Sequence, residues 1–174
     1  MSVVGGGEGG LSCVSPLETV YIQPTVAHPT ISPLTCSVTT RGLQVTLPTI
    51  ATGALNGMGS SAGDTPFDID LDCPSGVDVH VTVTDTNSAD TSKGYLEPGS
   101  GSTASGVVLR LHTRGASPQV VQYGPDSPVQ GNTNQFPVGE SPAGIPLSVQ
   151  YYQNDSAVTA GSITGQITYT LSYQ

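Results

Sequence analysis

The chain has 174 residues, enough for one domain with a real core and too few for two large ones. Only 10% of its residues are charged, while 22 glycines and 14 prolines accompany many Ser and Thr; this disfavours long amphipathic helices and fits short strands joined by turns. A formal charge of −9, from thirteen acidic against four basic residues, would repel a phosphate backbone or an anionic membrane surface, so nucleic-acid binding is excluded as a function.

Residues 1–10 are glycine-rich and read as a mobile segment, with no basic region and no apolar run of the signal-peptide kind. If the protein is exported, its signal has been removed or lies upstream, and a trimmed N-terminus is expected. The short alternation Glu18-Thr19-Val20-Tyr21-Ile22 predicts a strand. Pro24, Pro29 and Pro33 then lock their own φ and bias the residues before them to extended conformation, so 24–35 reads as a semi-rigid linker. This divides the chain into an N-terminal segment and linker, 1–35, and a folded domain, 36–174.

From Cys36 onward apolar residues recur with a period of two. Val38, Leu43, Val45 and Leu47 predict a strand pair, or one long strand kinked near Arg41-Gly42, followed by a Gly/Ser-rich loop over 52–64. Phe67, Ile69, Leu71 and Cys73 alternate with Asp68, Asp70 and Asp72, and Val77, Val79, Val81 and Val83 alternate with Asp78, His80, Thr82 and Thr84. Both read as strands with one buried and one wet face. Further strands are predicted at 95–96, 107–112, 120–123 and 145–151, with a turn-rich stretch over 124–142. The last strand carries Ile163, Ile167, Tyr169, Leu171 and Tyr173 on one face. About seven strands separated by turn signals predict an all-β, immunoglobulin-like sandwich.

The cysteines are Cys13, Cys36 and Cys73. They form no Cys-x-x-Cys pair and have no histidine at ligand spacing, so no metal site is expected. Cys36 and Cys73 bracket strands and are read as a disulfide, leaving Cys13 to a partner upstream of Met1. Asp68, Asp70 and Asp72 share a strand face but are spread along it, which suits a solvated surface rather than a wrapped calcium ion. His28, His80 and His112 are scattered, and no Gly-x-Ser-x-Gly elbow lies between a strand and a helix, so no enzyme is predicted, no catalytic residue is named and no cofactor is implied. The glycine run at 5–10 is followed by no Lys-Ser/Thr and is no phosphate loop. Asn154-Asp155-Ser156 matches the glycosylation acceptor pattern, and its physical content is an exposed turn. No apolar run is long enough to span a bilayer.

Several segments together resemble the pilins of chaperone–usher fimbriae: Cys36-Ser37-Val38-Thr39-Thr40, Val45-Thr46-Leu47-Pro48, the block from Ala62 to Cys73, Ala104-Ser105-Gly106-Val107, Tyr123-Gly124, Val158-Thr159-Ala160-Gly161 and Gly165 to Gln174. The resemblance covers nearly all of 36–174. It implies an incomplete immunoglobulin sandwich lacking its final G strand, with a groove between the first and last strands. Val45, Leu47, Ile167, Tyr169, Leu171 and Tyr173 would line that groove, with the carboxylate of Gln174 anchored at its end. A periplasmic chaperone would fill it, and at an outer-membrane usher the N-terminal extension of a neighbouring pilin subunit would replace the chaperone strand by β-augmentation. The resemblance places such a protein in a surface fimbrium, reached through the periplasm. Pro24 interrupts the only alternating stretch before Cys36, and proline cannot donate to a ladder. The expectation is therefore the C-terminal pilin domain of a two-domain tip adhesin, which accepts a strand without passing one on and meets a host glycan through an upstream domain. The competing readings are a shaft or adaptor pilin donating residues 17–26, and a self-complete carbohydrate-binding sandwich.

Overall fold

The computed structural model describes residues 35–40 and 42–174, together with the backbone of two short strands, β1 (Val4–Gly6) and β2 (Gly10–Ser12). The chain divides into two units, Met1–Pro33 and Leu34–Gln174. In the first, β1 and β2 pair antiparallel, so part of the stretch read as mobile is a hairpin. The strand predicted at 18–22, Cys13 and residues 24–34 of the linker lie outside the described residues.

The second unit is built from seven strands in two antiparallel sheets. They are β3 (Ser37–Val38), β4 (Ser61–Asp72), β5 (Asp78–Asp85), β6 (Val107–Thr113), β7 (Phe136–Glu140), β8 (Gly144–Gln153) and β9 (Ile167–Tyr173). One sheet has the order β3-β4-β8-β6 and the other β7-β5-β9. The only helical element among the described residues is a 3₁₀ turn at Thr52–Ala54, so none of them forms a helix able to cross a membrane.

Period-two alternation sets the core. Ile69 and Leu71 of β4, Val79, Val81 and Val83 of β5, Leu109 and Leu111 of β6, and Ile145, Leu147 and Val149 of β8 all turn inward and are buried. Val79, Val81 and Val83 are 0% exposed, because β5 is flanked by β7 and β9 and faces the other sheet. The aspartates of β4 stand outside, as expected for their alternation. Two of them also act as ties: Asp68 pairs with Arg114, and Asp70 accepts a bond from the Thr40 hydroxyl at 2.8 Å.

Three readings of the sequence need correction. The outer face of β5 is not wet: Thr82 is 0% exposed, because the 124–135 segment folds over it, with the Asn132 amide donating to the Thr82 hydroxyl and the Thr84 hydroxyl donating to the Gly124 carbonyl. Gly124 permits the approach, since a Cβ there would lie 2.7 Å from the Thr82 methyl and 2.1 Å from the Thr133 carbonyl oxygen. On the same face His80 is half-buried, with Nδ1 shut off from solvent, rather than facing water. Second, the turn-rich stretch contains β7, whose Pro137 and Gly139 hid it; proline is admissible there because β7 is an edge strand. Third, the strands predicted at 95–96 and 120–123 are only isolated bridges, Leu96 with Leu109, Val120 with His112 and Tyr123 with Val83.

Among the described residues, Tyr123 is the largest fully buried side chain. Burial pushes its phenol well above the ordinary value of 10.0, and partial burial raises Tyr169 in the same direction. A folded-state pKa above the unfolded one stabilises the fold below about pH 10, and that stability is lost as pH rises towards the folded value. The expected result is that one of the seven tyrosines resists ionisation in an absorbance titration until the chain unfolds, and that Tyr123→Phe flattens the alkaline fall in stability. A variant as sensitive to alkali as the parent would contradict it.

Candidate functional site: an open groove along the last strand

Among the described residues, β9 has a strand partner on one side only. It pairs with β5 from Ile167 opposite Asp85 to Tyr173 opposite Val79, and among the described residues no strand bonds its other edge. The inward row of β9, Ile167, Tyr169, Leu171 and Tyr173, sits beside Asp85, Val83, Val81 and Val79. The three valines have no exposure, whereas all four β9 residues are only half-buried. Neighbours on one sheet face share an environment unless something is missing above one of them. Here the cover stops at β9.

The chain between Cys36 and Ile50, expected to form the facing wall, packs on the same core. Only Ser37 and Val38 form ladder pairs, with Asp72 and Leu71. Residues 43–47, predicted as a strand, keep their alternation, with Val45 and Leu47 half-buried against the core and Gln44, Thr46 and Pro48 exposed. Among the described residues, however, they make no backbone hydrogen bond, and a strand without a partner is not a strand. Leu43 is 46% exposed, a large apolar side chain at the mouth of this wall.

The end of β9 is tied to the start of that segment. The Tyr173 hydroxyl donates to the Cys36 carbonyl at 3.3 Å, next to the disulfide between Cys36 and Cys73. Six of the seven residues expected to line the groove, Val45, Leu47, Ile167, Tyr169, Leu171 and Tyr173, therefore share one property, partial burial against the same core. Gln174 is placed differently. Its backbone N–H donates to the Asp78 carbonyl, and its exposed side chain bonds Gln130 and Gln135, away from the apolar row. Val38 and Ile163 have the same half-buried packing and were not singled out for the groove, although both continue the alternation of their segments.

The site is apolar and backbone-rich. No cluster of His, Cys, Asp or Glu able to hold a metal ion occurs among the described residues. What it offers chemically is a sheet edge that no described strand bonds, beside a row of half-buried apolar side chains.

The sequence profile of the fimbrial protein family matches residues 23–174. The chain belongs to that family. This fimbrial chain is 31% identical over 140 residues to the F17c-G fimbrial adhesin of Escherichia coli, covering 79% of itself and 40% of the relative. It is 28% identical over 148 residues to the F17 fimbrial protein of E. coli, covering 80% of itself and 81% of that protein. Among solved structures, the CupB6 tip adhesin of Pseudomonas aeruginosa superposes with a TM-score of 0.59 at 20% identity, over 73% of this chain and 34% of that one. The chain thus spans less than half the length of the first curated relatives it matches. Its all-β, incomplete immunoglobulin-like sandwich is that of a chaperone–usher pilin.

Proposed function

We propose that this domain is a structural subunit of a surface fimbrium that works by accepting a strand. The groove beside β9 takes an extended segment, first from a periplasmic chaperone and then, at an outer-membrane usher, from a neighbouring pilin. The observation that carries the reading is the contrast along one ladder, where Val79, Val81 and Val83 are fully buried and their partners Tyr173, Leu171 and Tyr169 are not. An incoming strand would give β9 its missing hydrogen bonds and cover those rings, which is β-augmentation. The same edge left open is a template for aggregation, so the free chain needs a guardian.

Within the fimbrium, we assign the chain to the C-terminal pilin domain of a tip adhesin, with residues 1–35 joining it to a receptor-binding part that meets a host glycan. Its likeness to F17c-G over only 40% of that adhesin supports this. The likeness to the F17 fimbrial protein over 81% of its length supports the rival, a shaft or adaptor subunit. The two differ in what the N-terminal segment does. A synthetic peptide of residues 11–30 mixed with a groove-exposed pilin is expected to give no stable complex in native electrophoresis, because Pro16, Pro24 and Pro29 remove three ladder donors. Stable strand exchange by that peptide would make the chain a donor as well and overturn the tip assignment.

A further inference from the structure

Asn56 is the only asparagine of the chain that is followed by glycine; Asn87, Asn132, Asn134 and Asn154 precede Ser, Thr, Gln and Asp. An asparagine before glycine is the pair most prone to spontaneous deamidation. The next amide nitrogen attacks the side-chain carbonyl carbon, and glycine puts no side chain in the way and bends freely into the required conformation. Three of the other asparagines are also held in place. The Asn87 amide donates to the Glu97 carbonyl, that of Asn132 to the Pro125 carbonyl and that of Asn134 to the Tyr123 carbonyl.

The fold puts Asn56 and Gly57 in the loop between the 3₁₀ turn and β4, with Asn56 exposed. Gly57 has a φ of +120°, where any side chain would be strained, although a Cβ there would meet nothing within 4 Å. Conformation, not crowding, keeps a glycine after Asn56.

The loop is nevertheless tied down. The Gly57 N–H, whose nitrogen would attack, donates to Gln153 Oε1 at 3.0 Å. Gln153 is only 3% exposed, and its Nε2 donates to the Asp155 carbonyl at 2.8 Å, which fixes the side chain with its oxygen towards Gly57. The main chain of Gln153 holds the same turn: its carbonyl accepts from the Gly59 N–H at 2.8 Å, and its N–H donates to the Ser60 carbonyl at 2.9 Å. Ser60 Oγ accepts from the Asn56 N–H at 3.0 Å and donates to the Gly57 carbonyl at 2.7 Å. The Gly57 nitrogen must therefore leave its bond to Gln153 before it can lose its proton and reach Cγ of Asn56.

We propose that Asn56 is a site of slow, spontaneous deamidation in the folded chain, and that Gln153 sets its rate by restraining the attacking nitrogen. The Gly57 nitrogen gives its proton to hydroxide and bonds to Asn56 Cγ, closing a succinimide ring. The side-chain nitrogen takes up a proton and leaves as ammonia. Water then opens the ring. Attack at Cγ breaks the new bond and leaves aspartate; attack at the main-chain carbonyl carbon breaks the original peptide bond and leaves isoaspartate, with the chain running through the side chain. One water is consumed, one ammonia is released, and nothing is oxidised or reduced. Either product carries a new carboxylate, and isoaspartate also lengthens the main chain by one carbon beside the turn that Gln153 holds.

The full chain, incubated at mildly alkaline pH beside a free peptide of residues 51–60, is followed by peptide mapping with isoaspartate detection. Replacement of NH by O is expected at Asn56 before any other asparagine, and more slowly than in the peptide. Gln153→Met, which keeps the length and removes the acceptor, is expected to accelerate it roughly fivefold, the equivalent of one ordinary hydrogen bond. Gln153→Glu, which keeps an accepting oxygen, is expected to accelerate it less. Hydrogen exchange at the Gly57 amide of the unmodified parent needs no variant to fold, and is expected to be slower than in the peptide. The proposal is overturned if another asparagine reacts first, if Asn56 is unchanged once the peptide has converted or reacts as fast as the peptide, if a folded Gln153→Met reacts at the parent rate, or if the Gly57 amide exchanges as freely as in the peptide. None of the residues involved belongs to the row proposed to accept a strand, so either idea can fail alone.

Discussion

An extended peptide with apolar side chains at alternate positions is expected to raise the melting temperature of this chain by about 8–16 °C at a thousandfold excess over its Kd. Binding only the folded state contributes about 4 kcal/mol at that excess, and a domain of this size gains ~2–4 °C per kcal/mol. The peptide covers Ile167, Tyr169, Leu171 and Tyr173 from one side and Val45 and Leu47 from the other, all half-buried against one core. It also satisfies the edge of β9 that no described strand bonds. Two control peptides separate these contributions. Shifting the apolar residues by one position turns every side chain to the wrong face and is expected to abolish the effect. Methylating the amide nitrogens on one edge keeps the side chains, removes donors and costs ~1 kcal/mol per lost bond. The gain should appear in hydrogen exchange as protection concentrated on β9. An unchanged melting temperature, or equal gains from the peptide and its shifted control, would refute strand acceptance.

Replacing both Cys36 and Cys73 by serine is expected to destabilise the domain by about 4 kcal/mol, measured by urea denaturation under non-reducing conditions. The bridge spans a sequence separation of 37, and the loop-entropy relation gives ~4 kcal/mol for a loop of that length. Location adds a functional consequence. The bridge fastens the start of the expected groove wall to the end of β4, next to the Tyr173–Cys36 hydrogen bond that ties the end of β9 to it. That wall has only two ladder pairs of its own, so the serine variant should also bind the groove peptide more weakly. A loss below about 1 kcal/mol would mean that the unfolded chain is already constrained or that the wall holds without its staple.

How much of this was legible beforehand differs from element to element. Val79, Val81 and Val83, the alternating aspartates of β4 and the row from Ile167 to Tyr173 announce their strands, because a half-buried strand must repeat every two residues. β7 was illegible because Pro137 and Gly139 argue against a strand, and only its position at a sheet edge makes them tolerable. Thr82 looked like a wet residue because alternation says which face a side chain takes, not whether a later loop covers that face. The groove lay between these cases. Its residues could be named only through a family resemblance; six of them pack half-buried against the core, as Val38 and Ile163 do, while the Gln174 side chain bonds Gln130 and Gln135.

By itself, the sequence determined an all-β sandwich, its inward-facing residues and the two cysteines that bracket its first strands, since these depend on local periodicity and spacing. Only the tertiary structure decided which strand edge has no described partner, because the openness of an edge is a property of the neighbours a strand does or does not have. It also decided that Thr82, on a strand face that alternation marks as wet, is fully buried. Burial is conferred by distant residues, here Asn132 and Gly124 of the segment that folds over β5, which no local pattern brings there.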